Sequence, residues 1–364
     1  MTRAMPPLLR PPALVTGDLV VIASLSGPLD EEHVPGLRQA VVVLERMGFR
    51  VRCAPLLEAG RRHWWSSAPV AEIAAEFNTL LRDPEVRAIV AHDGGQTVLG
   101  YLDLIDVEAI VADPKPILGY SDISLLHLVL HSRTGLVGFH ADLATPGIGE
   151  AWQAAPAARR EVLEGLYSTL LTGTEAIGPL PTGPSWECWR AGRAEGPLVG
   201  GVLNRIVRAQ ATRFALPLER FDGAVLFWEE LGGQASWVWS DLQVLRHCGI
   251  LDRIAGMVVG VPTAIGGLES ADASPTLAEI VLDVLGDRDI PVLGNVEFGH
   301  AGPNLPMPVG IRAGLDAGER ALSLLEPAVG PRDGGAGRLM PAGPTSGCRC
   351  LGAWNAQVVG STRA

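Results

Sequence analysis

The chain has 364 residues, 47% hydrophobic and 19% charged, with 44 glycines and 28 prolines, a length and make-up expected to give two loop-rich globular domains. A net charge of −11 argues against a nucleic-acid partner, which would need a basic face. There is no run of about 18 apolar residues and no apolar core of signal-peptide length in Met1 to Pro7, so neither a membrane span nor a leader is expected, and the chain reads as cytoplasmic.

Leu19 to Ala23 is an apolar, β-branched run expected as a first buried strand. A Ser/Gly/Pro loop follows, then a helix from about Glu32 to Met47, with Leu37, Val41, Leu44 and Met47 on one face and Gly48 as its stop. Val51 to Pro55 is a second strand, Arg61 to Trp65 a polar-aromatic loop, and Val70 to Arg82 a helix. Ala88 to His92 is a third strand ending at Asp93-Gly94-Gly95-Gln96. Pro116 to Gly119 is a short apolar strand that runs through Ser121 into a helix from Ile123 to about Arg133, expected to be amphipathic. Gly135 to His140 is another strand. Strands alternating with helices at this spacing indicate a parallel sheet flanked by helices, with ligands at the carboxyl ends of its strands. Gly94, Gly95 and Ser121 all lie on that edge.

The pattern breaks between about Ala141 and Ala191, apart from a helix over Ala157 to Leu171. This stretch includes a Gly/Pro-rich segment with Trp186 and Trp189, and the domain linker is expected there. Beyond it, helices are expected over Val202 to Ala209, up to His247, and over Pro275 to Leu285. Strands are expected over Ala224 to Glu230, Gly256 to Gly260 and Val292 to Phe298, with a closing hairpin over Ala313 to Pro327. The fold expected is α/β: an N-terminal parallel-sheet domain over 1–165, a linker over 166–195, a smaller strand-containing domain over 196–330 and a disordered tail over 331–364. The tail is assigned by its Gly/Pro/Ser/Arg composition.

Ser121 stands at a strand-to-helix corner, where its hydroxyl is pushed outward beside the free N–H groups of a helix start. That position suits a nucleophile, and it suits a plain helix cap equally well. A serine nucleophile needs a base, and the base an orienting group. His127 and His131 lie four apart on the next helix but lack the glutamate of a metalloprotease pair. His92 and His140 end strands at the ligand edge. His300, after an apolar strand and inside Gly299-His300-Ala301-Gly302, is the best placed. For the third group, Trp228-Glu229-Glu230 ends an apolar strand, and alternation allows only one of the two acids to face a given side. The five cysteines, Cys53, Cys188, Cys248, Cys348 and Cys350, show no C-x-x-C spacing, so neither a disulfide framework nor a zinc site is indicated.

Several stretches together resemble the LD-carboxypeptidase family of serine peptidases, which includes the microcin C self-immunity peptidases. They are Val86 to Gly95, Tyr101-Leu102-Asp103, Ile117 to Ile123, Thr134 to Val137, Gly192 to Gly201, Leu226 to Glu230 and Gly299 to Gly310, in family order over roughly residues 12 to 328. The resemblance implies a Ser-Glu-His triad at Ser121, Glu229 and His300, favouring Glu229 over Glu230. It also implies an oxyanion hole of backbone N–H groups from Asp122 and the Gly94-Gly95 turn. It further implies an active site between the two domains and no metal or organic cofactor. Three departures bear on the substrate: Val202 replaces an Asn after Gly200-Gly201, Gln96 replaces an aromatic, and an Arg is missing around Ala71 to Ala75. The expected substrate is a small peptide such as a cytoplasmic muropeptide, with an aminoacyl-nucleotide antibiotic as alternative; Trp186 and Trp189 are either a stacking face for its base or core tryptophans under a loop. A homodimer is expected. The reading from another class is a non-catalytic binding protein that keeps the cleft.

Overall fold

The computed structural model describes residues 5–268 and 275–332, so the tail expectation lies, for residues 333–364, outside the described residues. Five strands, β1 (Leu19–Ala23), β2 (Arg50–Cys53), β3 (Val86–Ala91), β4 (Ile117–Gly119) and β5 (Gly138–His140), pair in parallel in the order β5-β4-β3-β1-β2. Helices α1 (Val34–Arg46), α2 (Val70–Arg82), α3 (Val107–Ala112) and α4 (Ile123–Thr134) connect them. β1, β3 and β4 are buried almost throughout, as near-continuous apolar runs covered on both faces must be.

A π-helix over Ala144–Ala151 leads into the short helix α5 (Trp152–Ala154) and then α6 (Ala157–Thr172). The segment expected as a linker is built into the second sheet instead. Its strands β6 (Gly178–Pro179) and β7 (Glu187–Arg190) form the two outer edges of that sheet. Between them lie β8 (Arg193–Val202), β9 (Val225–Glu229), β10 (Gly256–Gly260), β11 (Val292–Val296), β13 (Arg312–Asp316) and β14 (Ala321–Leu324), in the order β6-β14-β13-β8-β9-β10-β11-β7. The run β8-β9-β10-β11 is parallel, and helices α7 (Leu203–Gln210), α8 (Ala235–His247) and α9 (Leu277–Leu285) belong to it. The second sheet therefore has eight strands against six in the first, so the expectation of a smaller C-terminal unit does not extend to its sheet. The sixth strand of the first sheet is β12 (Met307–Val309), which returns to pair antiparallel with β5.

The helix after Ser121 departs from the amphipathic expectation. Every residue of α4 from Ile123 to His131 is buried, because β8 and α7 pack against it from the second sheet. A helix covered all round needs no polar face. Gly201 permits the approach: a side chain there would put its Cβ 2.6 Å from that of Ser124. One hydrophobic cluster thus runs from Leu125 and Leu128 on α4 to Leu203 and Ile206 on α7. No helix among the described residues is long and apolar enough to cross a membrane.

Candidate active site

Ser121 follows β4 by two residues and adopts φ +62°, a left-handed conformation that costs a non-glycine residue on the order of 1–3 kcal/mol. Two bonds of the first α4 turn hold it there, Ile123 N–H to Tyr120 O at 3.2 Å and Ser124 N–H to Ser121 O at 3.1 Å. The turn after β3 presses on the serine so closely that a Cβ on Gly94 would lie 2.6 Å from Ser121 Oγ. Gly94 donates its N–H to Asp93 Oδ1 at 2.7 Å. Among the described residues, no protein acceptor takes the N–H of Gly95 or of Asp122, leaving those two donors beside the serine.

From the second sheet come Glu229, the last residue of β9, and His300, which follows β11. His300 Nε2 lies 3.1 Å from Ser121 Oγ, and its Nδ1 lies 3.0 and 2.9 Å from Glu229 Oε1 and Oε2. Glu229 is fully buried. A buried carboxylate is tolerable only when paired, and here it accepts from the imidazole. A carboxylate at Nδ1 requires the proton on that nitrogen, which turns the Nε2 lone pair to the serine hydroxyl. The carboxylate fits because its neighbours lack side chains: a Cβ on Gly299 would come 2.3 Å from Glu229 Cγ, and one on Gly260 2.7 Å from Glu229 Cβ. Tyr120 lies edge-on to the His300 ring, centroids 5.0 Å apart.

The His300 loop is anchored by residues that the sequence reading did not single out. Asn304 donates its backbone N–H and its Nδ2 to Asp142 at 3.0 and 2.7 Å, and Trp152 Nε1 donates to the same carboxylate at 2.6 Å. Burial pushes the Asp142 carboxyl up to about 6. The only sequence signal was an acid placed after strand β5. The remaining histidines of this edge do not reach the serine. His92 is held by Gly27 O at 3.0 Å and His127 by Gly119 O at 3.0 Å, while His140 lies 3.3 Å from Ser124 Oγ. Burial lowers the pKa of all three.

Glu230 points away from His300, as strand alternation requires, but not into solvent. It accepts from Asn204 N–H at 2.9 Å, Asn204 Nδ2 at 2.7 Å and Leu231 N–H at 3.0 Å. A cavity of about 410 Å³ opens beside it, lined in part by Arg208, Trp237 and Asp241. Gln96 bonds across to this side, accepting from Arg208 Nη1 at 2.9 Å. Val202 is buried.

Trp186 does not offer a stacking face. It is 1% exposed and part of the hydrophobic core, with its Nε1 donating to Glu297 Oε2 at 2.5 Å. Trp189 lies over Gly294, where a Cβ would meet its ring at 2.0 Å. Both indoles are thus taken up by the sheet whose edge their segment forms. Among the described residues, the indoles exposed to solvent are Trp64, Trp65, Trp237 and Trp239.

A family model described as the LD-carboxypeptidase N-terminal domain matches residues 20–141, and one described as the LD-carboxypeptidase C-terminal domain matches residues 195–315. The chain is 28% identical over 316 residues to the Bacillus subtilis protein named "Probable murein peptide carboxypeptidase", covering 85% of this chain and 92% of that one. It is 25% identical over 346 residues to the microcin C7 self-immunity protein MccF of Escherichia coli, covering 88% and 96%. The solved structure of MccF in complex with glutamyl sulfamoyl guanosine superposes with a TM-score of 0.79 at 23% identity, covering 88% of this chain and 99% of that one, and so shares its fold. With both domain models matched in order and the two-sheet architecture in common, the chain belongs to the LD-carboxypeptidase family and is a serine carboxypeptidase.

Proposed function

We propose that the protein hydrolyses an amide bond in a small peptide, releasing a terminal D-amino acid from a substrate such as a muropeptide, with Ser121 as nucleophile. The observation that carries this reading is the unbroken line from Glu229 through His300 to Ser121, with 2.9 Å at one step and 3.1 Å at the other. His300 Nε2 takes the hydroxyl proton as Ser121 Oγ bonds to the carbonyl carbon. Glu229 holds the ring and stabilises the imidazolium that results. The carbonyl oxygen, now an anion, accepts from the N–H groups of Gly95 and Asp122. His300 then gives its proton to the leaving amine, and water, deprotonated by the same imidazole, releases the acyl group and restores Ser121.

A second reading, cleavage of an aminoacyl-nucleotide, is supported by the likeness to MccF over 88% of this chain. The burial of Trp186 removes the stacking face that favoured it, so the peptide stands first. Both substrates are tested side by side with Ser121→Ala as control. The expected outcome is D-alanine release from an L,D-tetrapeptide at a kcat/KM well above that for an aminoacyl sulfamoyl-adenylate. The opposite order would replace the first reading by the second.

A further inference from the structure

The two N–H groups assigned above to the oxyanion belong to residues that share a partner in the other half of the molecule, Arg205 on α7. Its side chain is 5% exposed. Nε lies 3.0 Å from Asp122 Oδ1, and Nη2 donates to Gly95 O at 3.0 Å. Beside this ion pair and the bond to Gly95, a second hydrogen bond, from Nη1 to Asn204 Oδ1 at 2.7 Å, holds the fork, and Asn204 is itself held by Glu230. The Asp122 carboxylate is 2% exposed and also accepts, at Oδ2, from Ser26 Oγ at 2.7 Å and from the N–H groups of Thr97 and Val98 at 2.6 and 2.9 Å. An anion therefore sits in the very residue whose N–H faces the developing oxyanion, and the cation that offsets it comes from the second sheet's side.

We infer that Arg205 is a positioning residue for the oxyanion hole, so that the hole is complete only when the two halves are packed together. It acts in two ways. It neutralises the buried Asp122 charge, which unpaired would oppose negative charge building up on the substrate carbonyl. It also grips the Gly95 carbonyl, while Gly27 N–H grips the Gly94 carbonyl at 2.8 Å. Gly95, at φ +147°, has no side chain to hold its own orientation, so these two bonds clamp it from both sides. This role rests on the nucleophile assignment of the preceding subsection.

The test is steady-state kinetics on the full-length protein with an L,D-tetrapeptide, joined to the affinity of a peptidyl boronic acid, whose serine adduct carries a tetrahedral anion. Arg205→Ala is expected to lower kcat about 100-fold, the scale of losing one oxyanion donor, with KM within about threefold and boronate affinity falling in step with kcat. The double variant Arg205→Met with Asp122→Asn, which removes both charges, is expected to recover part of that loss. A kcat for Arg205→Ala within twofold of wild type overturns the inference, as does a loss of kcat with unchanged boronate affinity. Should Arg205→Ala not fold, Arg205→Lys decides. That variant keeps a cation near Asp122 and loses the fork to Gly95, so a fall of about tenfold in kcat upholds the role and a wild-type kcat overturns it. Ser121→Ala separates the two levels of the argument. Activity in that variant overturns the nucleophile and the inference with it, whereas an inactive Ser121→Ala beside a fully active Arg205→Ala overturns the inference alone.

Discussion

Ser121 and Glu229 both close short, buried, apolar strands, yet the chain around them meets different demands. On the first sheet the functional group is set by the backbone: a serine at φ +62°, locked by two main-chain hydrogen bonds and crowded by Gly94. On the second sheet it is set by side-chain pairing, a fully buried carboxylate whose acceptor capacity is spent on one imidazole and whose room is made by Gly260 and Gly299. Backbone geometry survives truncation of the side chain it presents. A buried carboxylate that orients an imidazole does not survive conversion to an amide, because the ring then loses the acceptor that fixes its tautomer.

That difference gives the variants an order. Ser121→Ala is expected to lower kcat by several orders of magnitude, as removal of a triad nucleophile does, without lowering the melting temperature; more than about a tenth of wild-type activity would refute the assignment. Glu229→Gln follows, with a fall of about 10⁴-fold in kcat, because an amide at that place no longer fixes the imidazole tautomer. Glu230→Gln, one residue on, keeps an acceptor for Asn204 and is expected to cost less than about tenfold. Equal effects of the two glutamate changes would break the comparison.

Stability effects sharpen it further. Trp186→Ala is expected to destabilise the fold by about 3–5 kcal/mol, as a core aromatic truncation, and to reduce turnover of peptide and nucleotide substrates in parallel. A selective loss on the nucleotide substrate, with an unchanged melting curve, would restore the stacking role. The buried histidines set a pH dependence. His127 and His131 are pushed down to about 4 by burial, against an ordinary 6.5. Between pH 6.5 and 4 the unfolded chain therefore binds protons that the fold refuses, so stability rises with pH there and is lost on acidification. Asp142, raised to about 6 from 3.8, works with the opposite sign between those two values. His92 and His140 are lowered by burial like His127 and His131, while Glu76, Glu230 and Asp241 are raised by burial with Asp142. Because the histidines' ordinary value of 6.5 lies between pH 5 and 7.5 and the carboxyls' ordinary values lie below that interval, the melting temperature is expected to be lower at pH 5 than at pH 7.5, and a constant or higher value at pH 5 would contradict it.

What was legible in the sequence was whatever a strand end makes visible. Ser121, Glu229 and His300 each follow an apolar run and precede a turn, and the parallel strands β1, β3, β9 and β10 are apolar runs. Long-range partners were not legible. Arg205 lies 83 positions from Asp122 on a helix whose pattern shows no reason for a buried cation, and Asn304 meets Asp142 across 162 positions. β8 is absent from the strands expected above because Gly196-Pro197 and Gly200-Gly201 interrupt its apolar pattern, although Gly200 and Gly201 permit close crossing with β9 and α4. For Trp186 the sequence left a stacking face and a core position both open, and the fold takes the second: the indole is buried, its Nε1 held by Glu297.

The central claim, that Glu229 and His300 activate Ser121 across the two sheets, is met most directly by the rate and position of covalent labelling with a serine-directed fluorophosphonate, read by peptide mass mapping. The account predicts modification of wild type at Ser121, a rate at least about 100-fold slower in Glu229→Gln, and a rate close to wild type in Glu230→Gln. Labelling at another serine, or an unchanged rate at Ser121 in Glu229→Gln, would contradict it.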